Sequence, residues 1–425
     1  MPARPPAVTR AKDGTVQIAG PFAGPASTRA VLDVAGAVLT WPVLDPTGLP
    51  AAEIHDVGQA QQWLWAVYGE RVAAAVDAVA SGAPEAAAAV ASGAPEAAAG
   101  LMPAEQPTAL AESAARLAFV HWAARWWPAS HLDGIPALEP GALGLELAAL
   151  THECQQLLDE AGEVEGRELL EEHLPALAPL IRWRQSGAAP RRLDRVLRLI
   201  DDAADGLGLD GEALGRLRSA LEQADGRVGT PLDLADLFVR QREFALAAGS
   251  AHPATGRVIA RGSGTNDWCR YPPGFVDAAE DAVSWTVHAL GAGRWIKVEV
   301  VAGGTAPVGG VRPAAEVSVE RVNLAAEVHV DAGPPVRVPL ARRDDVWTGR
   351  ADLDIRASTT PSVEVGVLLP GFDPGPGADD RAAREAVRDL ARRRLGEAAA
   401  PHDGEAAQSG PLLAEIVAAA VEEDF

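Results

Sequence analysis

The sequence predicts an α+β multidomain protein, in which a mainly α-helical N-terminal domain is followed by an antiparallel β-sandwich and C-terminal helices. Three observations predict this order. Apolar residues recur at helical spacing through most of the first 250 residues, as in the stripe Leu143, Leu147 and Leu150. After Gly249 the apolar period becomes two residues, which is typical of half-buried strands. Helical spacing returns past Pro370.

We expect four segments along the chain. Residues 1–30 contain five prolines and few large apolar side chains, which predicts a flexible N-terminal arm. Residues 31–250 are predicted to form the α-helical domain, with the first helical region starting near Val31. Residues 255–370 are predicted to form the antiparallel β-sandwich, and residues 378–425 the C-terminal helices with a polar spacer between them.

Helices in the first domain are placed by apolar spacing and by proline. The predicted segments are 59–79, 108–127, 143–157, 166–185, 191–205, 212–224 and 231–248. Pro128 ends the second of them, because proline cannot continue a helix. A ten-residue run starting at Val79 recurs from Val90, so residues 79–103 are predicted to be an Ala/Gly/Pro repeat loop. Two copies are too few for a solenoid, which needs at least three.

The sandwich is predicted from short alternating runs and from their connections. Alternation occurs at 283–289, 296–300, 317–319, 328–330, 336–340, 347–355 and 363–369. Gly303-Gly304 and Gly333-Pro334 are turn signals in connections too short for crossover helices. The strands should therefore pair antiparallel.

Composition and charge exclude several classes of function. The net charge of −22 would repel phosphate backbones, so we expect no nucleic-acid partner. Only Lys12 and Lys297 are lysines, and with abundant Ala, Gly and Pro this indicates a GC-rich bacterial coding sequence. Two cysteines cannot build a disulfide framework, and neither an export signal nor a run of about 18 apolar residues is present. We expect a soluble cytoplasmic protein with no membrane partner.

The familiar metal and cofactor motifs are incomplete. His152-Glu153 resembles the start of a zinc-binding helix, but Gln156 stands where the second histidine would be needed. The glycine-rich stretch 303–310 lacks the lysine of a phosphate loop. We therefore predict neither a metal site nor a cofactor.

The densest polar-aromatic cluster lies between His121 and Gly134. Its candidate ligand-binding residues are His121, Arg125, Trp126, Trp127 and His131. Arg125 can bind a carboxylate or stack on an indole, and His131 with Asp133 is a candidate catalytic pair for proton exchange. The alternative interpretation is structural, since tryptophans are usually buried in the core and the polar groups then satisfy loop carbonyls.

Cys269 is a second catalytic candidate. The neighbouring Arg270 would lower the thiol pKa, and His288 or His252 would have to serve as the base. No family-specific motif surrounds these residues, so the alternative is that Cys269 only packs.

Two surfaces are candidates for partner binding. Arg191 and Arg195 belong to a basic cluster that would dock an acidic partner, unless i, i+4 pairs such as Arg198 with Asp202 make it an ordinary solvated face. The apolar residues of the last segment predict a short docking helix; the candidates there are Leu412, Leu413, Ile416 and Phe425.

The sequence favours a non-enzymatic interaction or adaptor protein that binds one or more proteins as an accessory component of a multicomponent system. This hypothesis depends on the missing catalytic motifs and on the combination of helical domain, sandwich and terminal helix. Two alternatives stay open. The first is an enzyme or small-ligand-binding protein centred on the cluster between His121 and Asp133, and the second is a cysteine-dependent enzyme at Cys269.

Overall fold

A computed structural model describes residues 7–19, 22, 24–45, 48–82, 107–186, 191–222, 257–303, 324–331, 333–354, 361–372, 380–400 and 410–422. The chain divides into two compact units. The first comprises Met1–Ala123, Glu139–Phe238 and Arg393–Phe425, and the second comprises Ala124–Leu138 and Val239–Arg392. Helices and antiparallel sheets are both present, which confirms the mixed α+β class.

A five-stranded antiparallel sheet begins the first unit. Its strands are β1 (Val8–Arg10), β2 (Val16–Ile18), β3 (Arg29–Val34), β4 (Ala37–Pro42) and β5 (Ala51–Ile54). Their order across the sheet is β1-β2-β5-β4-β3. Alternate residues of the β3–β4 hairpin are buried, so the sheet has one face in the core.

This sheet corrects the prediction for the start of the chain. Strands β1 and β2 lie where we expected a flexible arm, and the first helical region does not start at Val31, which lies in β3. Ala35 and Gly36 form a two-residue turn between β3 and β4, and Gly36 has a φ of +78°. That left-handed conformation suits glycine and closes a tight hairpin.

Helices make up the rest of the first unit. They are α1 (Val57–Ala60), α2 (Leu64–Tyr68), α3 (Glu70–Ala80), α4 (Ala109–Trp126), α5 (Pro140–Glu153), α6 (Glu160–His173), α7 (Leu177–Gln185), α8 (Arg191–Gly206) and α9 (Glu212–Glu222). The predicted stripe on α5 is confirmed, because Leu143, Leu147 and Leu150 are buried. Pro140 begins this helix, where its missing N–H costs no hydrogen bond.

Two further helices follow near the end of the chain, as predicted. They are α10 (Arg381–Ala399) and α11 (Leu413–Glu422). Asp380 caps the first of them, accepting the backbone N–H of Ala382 at 3.0 Å. Helix α11 contacts α5 and α8 within the first unit.

The second unit holds two antiparallel sheets. Their strands are β6 (Arg257–Ser263), β7 (Val283–Leu290), β8 (Gly293–Val301), β9 (Ala325–Val330), β10 (Val336–Pro339), β11 (Ala341–Arg343), β12 (Val346–Leu353) and β13 (Val363–Leu368). One sheet has the order β11-β12-β8-β7-β6 and the other β10-β9-β13. Val283, Trp285 and Val287 share the buried face of β7, as their alternation predicts.

Some predictions fall outside the described residues. They concern most of the repeat loop 79–103, the helical segment 231–248, the alternating run 317–319, and the residues His252 and Phe425.

Candidate functional site

A small cleft in the second unit is the candidate site. It has a volume of about 30 Å³. Its lining residues come from the end of α4 and from the loops that follow α4, β6 and β8: Arg125, Trp126, Trp127, Pro128, Ala129, Trp268, Tyr271, Pro273, Gly274, Val276, Ala278 and Gly303. Aromatic and proline side chains dominate this lining, and a single side chain among its described residues is charged.

That charged side chain is the guanidinium of Arg125. Its Nη2 donates to the backbone carbonyl of Trp268 at 3.1 Å and to that of Tyr271 at 3.4 Å. Its carbon lies 4.0 Å from the centroid of the Trp126 ring and 5.6 Å from that of Phe372. Carbonyl dipoles and aromatic faces therefore hold this cation in place.

Arg125 lacks a carboxylate partner. No Asp or Glu oxygen of the described residues lies within 4.0 Å of its guanidinium. Burial lowers the pKa of Arg125, while the nearby groups of Cys269, Tyr271 and Asp267 act in the opposite direction. An arginine stays protonated even so, because its ordinary pKa is far above physiological pH. The cleft thus contains a half-buried positive charge that makes no ion pair with a described carboxylate.

Trp268 adds an unused hydrogen-bond donor to the same lining. The side chain is almost fully buried, and its indole Nε1 finds no acceptor within the part of the chain that the structure describes. Buried donors are nearly always satisfied in native proteins, so an unpaired one points to a water, an ion or a ligand. By contrast, the indole of Trp127 donates to the carbonyl of Pro136 at 2.9 Å.

A buried aspartate fixes the loops that surround the cleft. Asp277 accepts hydrogen bonds from the Ser130 hydroxyl at 2.6 Å, the His131 N–H at 2.7 Å and the Ala279 N–H at 2.9 Å. Asn266 donates to the carbonyl of Asp277 at 2.8 Å. These bonds join the loop after α4 to the loop after β6, so the two walls of the cleft hold a fixed spacing.

Hydrogen bonds of Tyr271 and Asp267 fix the conformation of the loop after β6, which lines the cleft. The Tyr271 hydroxyl donates to the side-chain oxygen of Asn266. Asp267 accepts the N–H of Cys269 at 2.9 Å and so caps the 3-10 turn Trp268–Arg270. This turn brings the backbone carbonyl of Trp268 to Arg125, while the Trp268 ring centroid lies 5.9 Å from the guanidinium carbon of Arg388.

The candidate proton pair of His131 and Asp133 lies in the loop after α4. Asp133 lies 3.4 Å from the Nε of Arg388 and 3.4 Å from the Nη2 of Arg392, so its carboxylate already balances two cations. The His131 side chain is exposed, and its backbone N–H donates to Asp277 at 2.7 Å.

The predicted ligand-binding set divides between the two units. Arg125, Trp126 and Trp127 line the cleft, whereas His121 belongs to the first unit. Burial lowers the pKa of His121, and the charge of Asp33 in β3 opposes that effect. The structure thus brings three of the five residues together.

Cys269 and His288 occupy different local environments. Cys269 is buried in the 3-10 turn. His288 lies on β7 with its ring stacked on Trp295, the centroids 4.0 Å apart and the planes at 6°. Its buried Nδ1 has no hydrogen-bond partner among the described residues.

The predicted partner-binding residues also have mixed environments. Leu412 and Leu413 are fully buried and Ile416 is half-buried, so this segment packs against its own chain instead of presenting an apolar face. Arg195 is exposed on α8 and makes no ion pair with a described residue. The expected pair of Arg198 with Asp202 is not formed either. The side chain of Arg191 lies outside the description.

Neither a metal site nor a membrane span emerges from the described residues. They contain no group of three or more His, Cys, Asp or Glu side chains placed to hold a metal ion. None of their helices combines the length and apolar content that crossing a bilayer requires.

The chain matches none of the family models, curated proteins or solved structures with which it was compared. Its function therefore has to be argued from the site.

Sequence reasoning found Arg125 and Trp126 but missed Trp268, Tyr271 and Asp277. In the stretch from Trp268 to Gly274, only Cys269 is a residue type that sequence reasoning ranks as a candidate. Its two aromatic residues beside a Pro-Pro-Gly turn were the more useful signal.

Proposed function

We propose that this protein is a non-enzymatic adaptor that binds one or more protein partners in the bacterial cytoplasm, as an accessory component of a multicomponent system. Its recognition site is the cleft that contains Arg125. One observation carries the proposal: a positive charge that makes no ion pair with a described residue is held at a rigid aromatic surface.

The chemistry of the cleft favours binding over catalysis. Neither His131 nor Asp133, the candidate acid–base pair, is among the described residues that line the cleft. An acid–base enzyme needs a group free to exchange protons within reach of its substrate. Aromatic residues and arginine, in contrast, are the residue types that dominate binding energy at protein interfaces.

We also propose that the two sheets of the second unit form a β-sandwich that supports this cleft. Strand β10 contacts β12 and strand β13 contacts β7, so each sheet touches the other. The N–H of Thr265 donates to the carbonyl of Val365 at 2.7 Å, close to the turn that carries Trp268. Such packing would keep the loop after β6 rigid.

The test is a partner that depends on Arg125. Tagged wild-type chain, Arg125→Gln and the control Arg216→Gln are purified from the native host, and every stoichiometric partner is then produced and tested as a purified protein. Arg216 is a suitable control because its pair with Glu212 is largely exposed. We expect binding by wild type and Arg216→Gln and a loss of at least about tenfold in affinity for Arg125→Gln.

Folding is checked by thermal unfolding, and Arg125→Lys provides a second variant that keeps the charge. A purified partner that binds folded Arg125→Gln as tightly as wild type would refute the proposal. Failure to recover any stoichiometric partner would count against an adaptor and shift the function to a small-molecule ligand.

A further inference from the structure

We infer that the cleft is a carboxylate-binding site, which receives either the C-terminal carboxylate or an Asp or Glu side chain of the partner protein. The inference depends on the proposed function only for the claim that the ligand belongs to a protein. The claim that the ligand is a carboxylate is argued from the cleft alone.

Two donors with unused capacity define the ligand chemistry. Arg125 donates through Nη2 to two carbonyls, and no carboxylate oxygen of the described residues lies within 4.0 Å of its guanidinium. The Nε1 of Trp268, in the same lining, has no acceptor there. A ligand that satisfies both must accept hydrogen bonds and carry negative charge, and a carboxylate does both.

The size of the cleft agrees with a carboxylate. A buried water needs about 10–15 Å³ on this scale, so about 30 Å³ accommodates roughly two oxygen-sized groups. A carboxylate presents two oxygens in one plane, which matches the planar guanidinium.

Charge argues against phosphate as the ligand. Arg125 is the single charged side chain of the lining, and the chain has a net charge of −22. Sites for phosphate dianions usually gather several arginines or a helix N-terminus. One guanidinium suits a monoanion.

The surrounding surface favours an apolar group next to the carboxylate. Trp126, Trp127 and Tyr271 offer ring surface, and Pro128 and Pro273 contribute flat apolar faces. The cleft itself is too small for a ring, so an aromatic residue beside the acid would pack against the outer edges of these faces.

The first experiment observes the indole directly. The chain contains 11 tryptophans, so indole-labelled protein gives at most 11 N–H signals by NMR, and Trp268→Phe assigns the relevant one. The chain is titrated with phenylacetate and with its neutral isostere phenylacetamide. We expect the Trp268 signal to shift with phenylacetate alone, with a dissociation constant on the order of 1 mM for so small a ligand.

Variants test the role of the charge. In Arg125→Gln we expect phenylacetate to bind at least about tenfold more weakly. In Trp268→Phe the charge of Arg125 is retained, so we expect a smaller loss of affinity. Equal responses to the acid and the amide, or no response to either, would overturn the inference. The comparison of acid with amide is made on wild-type protein, and a variant is needed only to assign the Trp268 signal.

Two peptide pairs identify the source of the carboxylate. One acetylated peptide ends in phenylalanine with a free or an amidated C-terminus, and the other carries an internal aspartate or asparagine beside phenylalanine with an amidated C-terminus. Binding of either acid but not its neutral counterpart supports the inference and names the source. Binding of phenylacetate without either peptide would overturn the assignment to a protein ligand.

The two proposals can fail separately. If a purified partner requires Arg125 but no carboxylate shifts the Trp268 signal, the carboxylate inference is wrong and the adaptor proposal stands. If carboxylate peptides bind but the purified partner ignores Arg125→Gln, the adaptor proposal is wrong.

Discussion

The buried carboxylate of Glu146 accepts the backbone N–H of Leu413 at 2.7 Å, across a sequence separation of 267 residues. Leu413 begins α11, whose first N–H groups have no partner within the helix. Glu415 complements this cap by accepting the N–H of Leu412 at 2.5 Å. The start of α11 is therefore held by two buried carboxylates, which explains why the predicted docking helix is packed onto its own chain.

Glu146→Gln should destabilise the protein strongly. Arg116 donates to Glu146 at 3.0 Å, and the substitution removes the negative charge that Glu146 places beside this mostly buried guanidinium. We expect a loss of about 3 kcal/mol or more in the free energy of unfolding, measured by urea denaturation. Glu212→Gln is the matched control, because its ion pair is exposed and should contribute less than about 1 kcal/mol. Similar losses for the two variants would show that burial does not determine how much each ion pair contributes to the free energy of unfolding.

Alanine at two helical glycines should change stability in opposite directions. A Cβ at Gly144 in α5 would overlap the buried ring of His173, whereas a Cβ at Gly215 in α9 would meet nothing within 4 Å. Gly144→Ala should cost about 1–3 kcal/mol through overpacking. Gly215→Ala should gain about 0.5–1 kcal/mol from helix propensity. The comparison uses thermal and urea unfolding, and a neutral Gly144→Ala would mean that His173 moves aside freely.

Much of the fold follows from local periodicity, and the part that does not has a physical cause. Val283, Trp285 and Val287 alternate so regularly that their strand is evident. Ala30, Leu32 and Val34 alternate as well, and Gly36 marks a tight turn, but their strand lies between a proline-rich start and a strongly helical pattern. The choice between helix and strand there depends on pairing with β4, which a local pattern does not show.

The sequence predicts only the part of the candidate site that α4 contributes. Trp126 next to Arg125 shows that a cation and an indole lie together on the last turn of a helix. The opposite side of the cleft comes from Trp268, whose carbonyl lies 143 residues from Arg125 in sequence. Such a contact is set by the tertiary fold, and neither residue's neighbours specify it.

Stability at acid pH should depend on Glu280. Burial opposes its ionisation, but hydrogen bonds and charges from Arg384 and Arg388 outweigh burial, so the pKa of Glu280 lies below its ordinary value of 4.5. A carboxyl whose native pKa is lowered stabilises the fold fully above its ordinary pKa, and this stabilisation is lost as pH falls through the lower native value. Wild type should therefore exceed Glu280→Gln in unfolding free energy at pH 7, and the difference should shrink below about pH 4.5. A difference that stays constant down to pH 3 would contradict this linkage.

Both cysteines should react slowly with thiol reagents in the folded protein. Cys154 is fully buried, and burial raises its pKa, with the charge of Glu153 acting in the same direction. Because the thiolate is the reactive form, Cys154 should be labelled only when the chain unfolds. Cys269 is also buried, so its labelling by iodoacetamide should be slower than that of a free thiol. The rates are measured by mass spectrometry with and without urea. Fast, pH-dependent labelling of Cys269 in the native state would instead support the hypothesis of a cysteine-dependent enzyme.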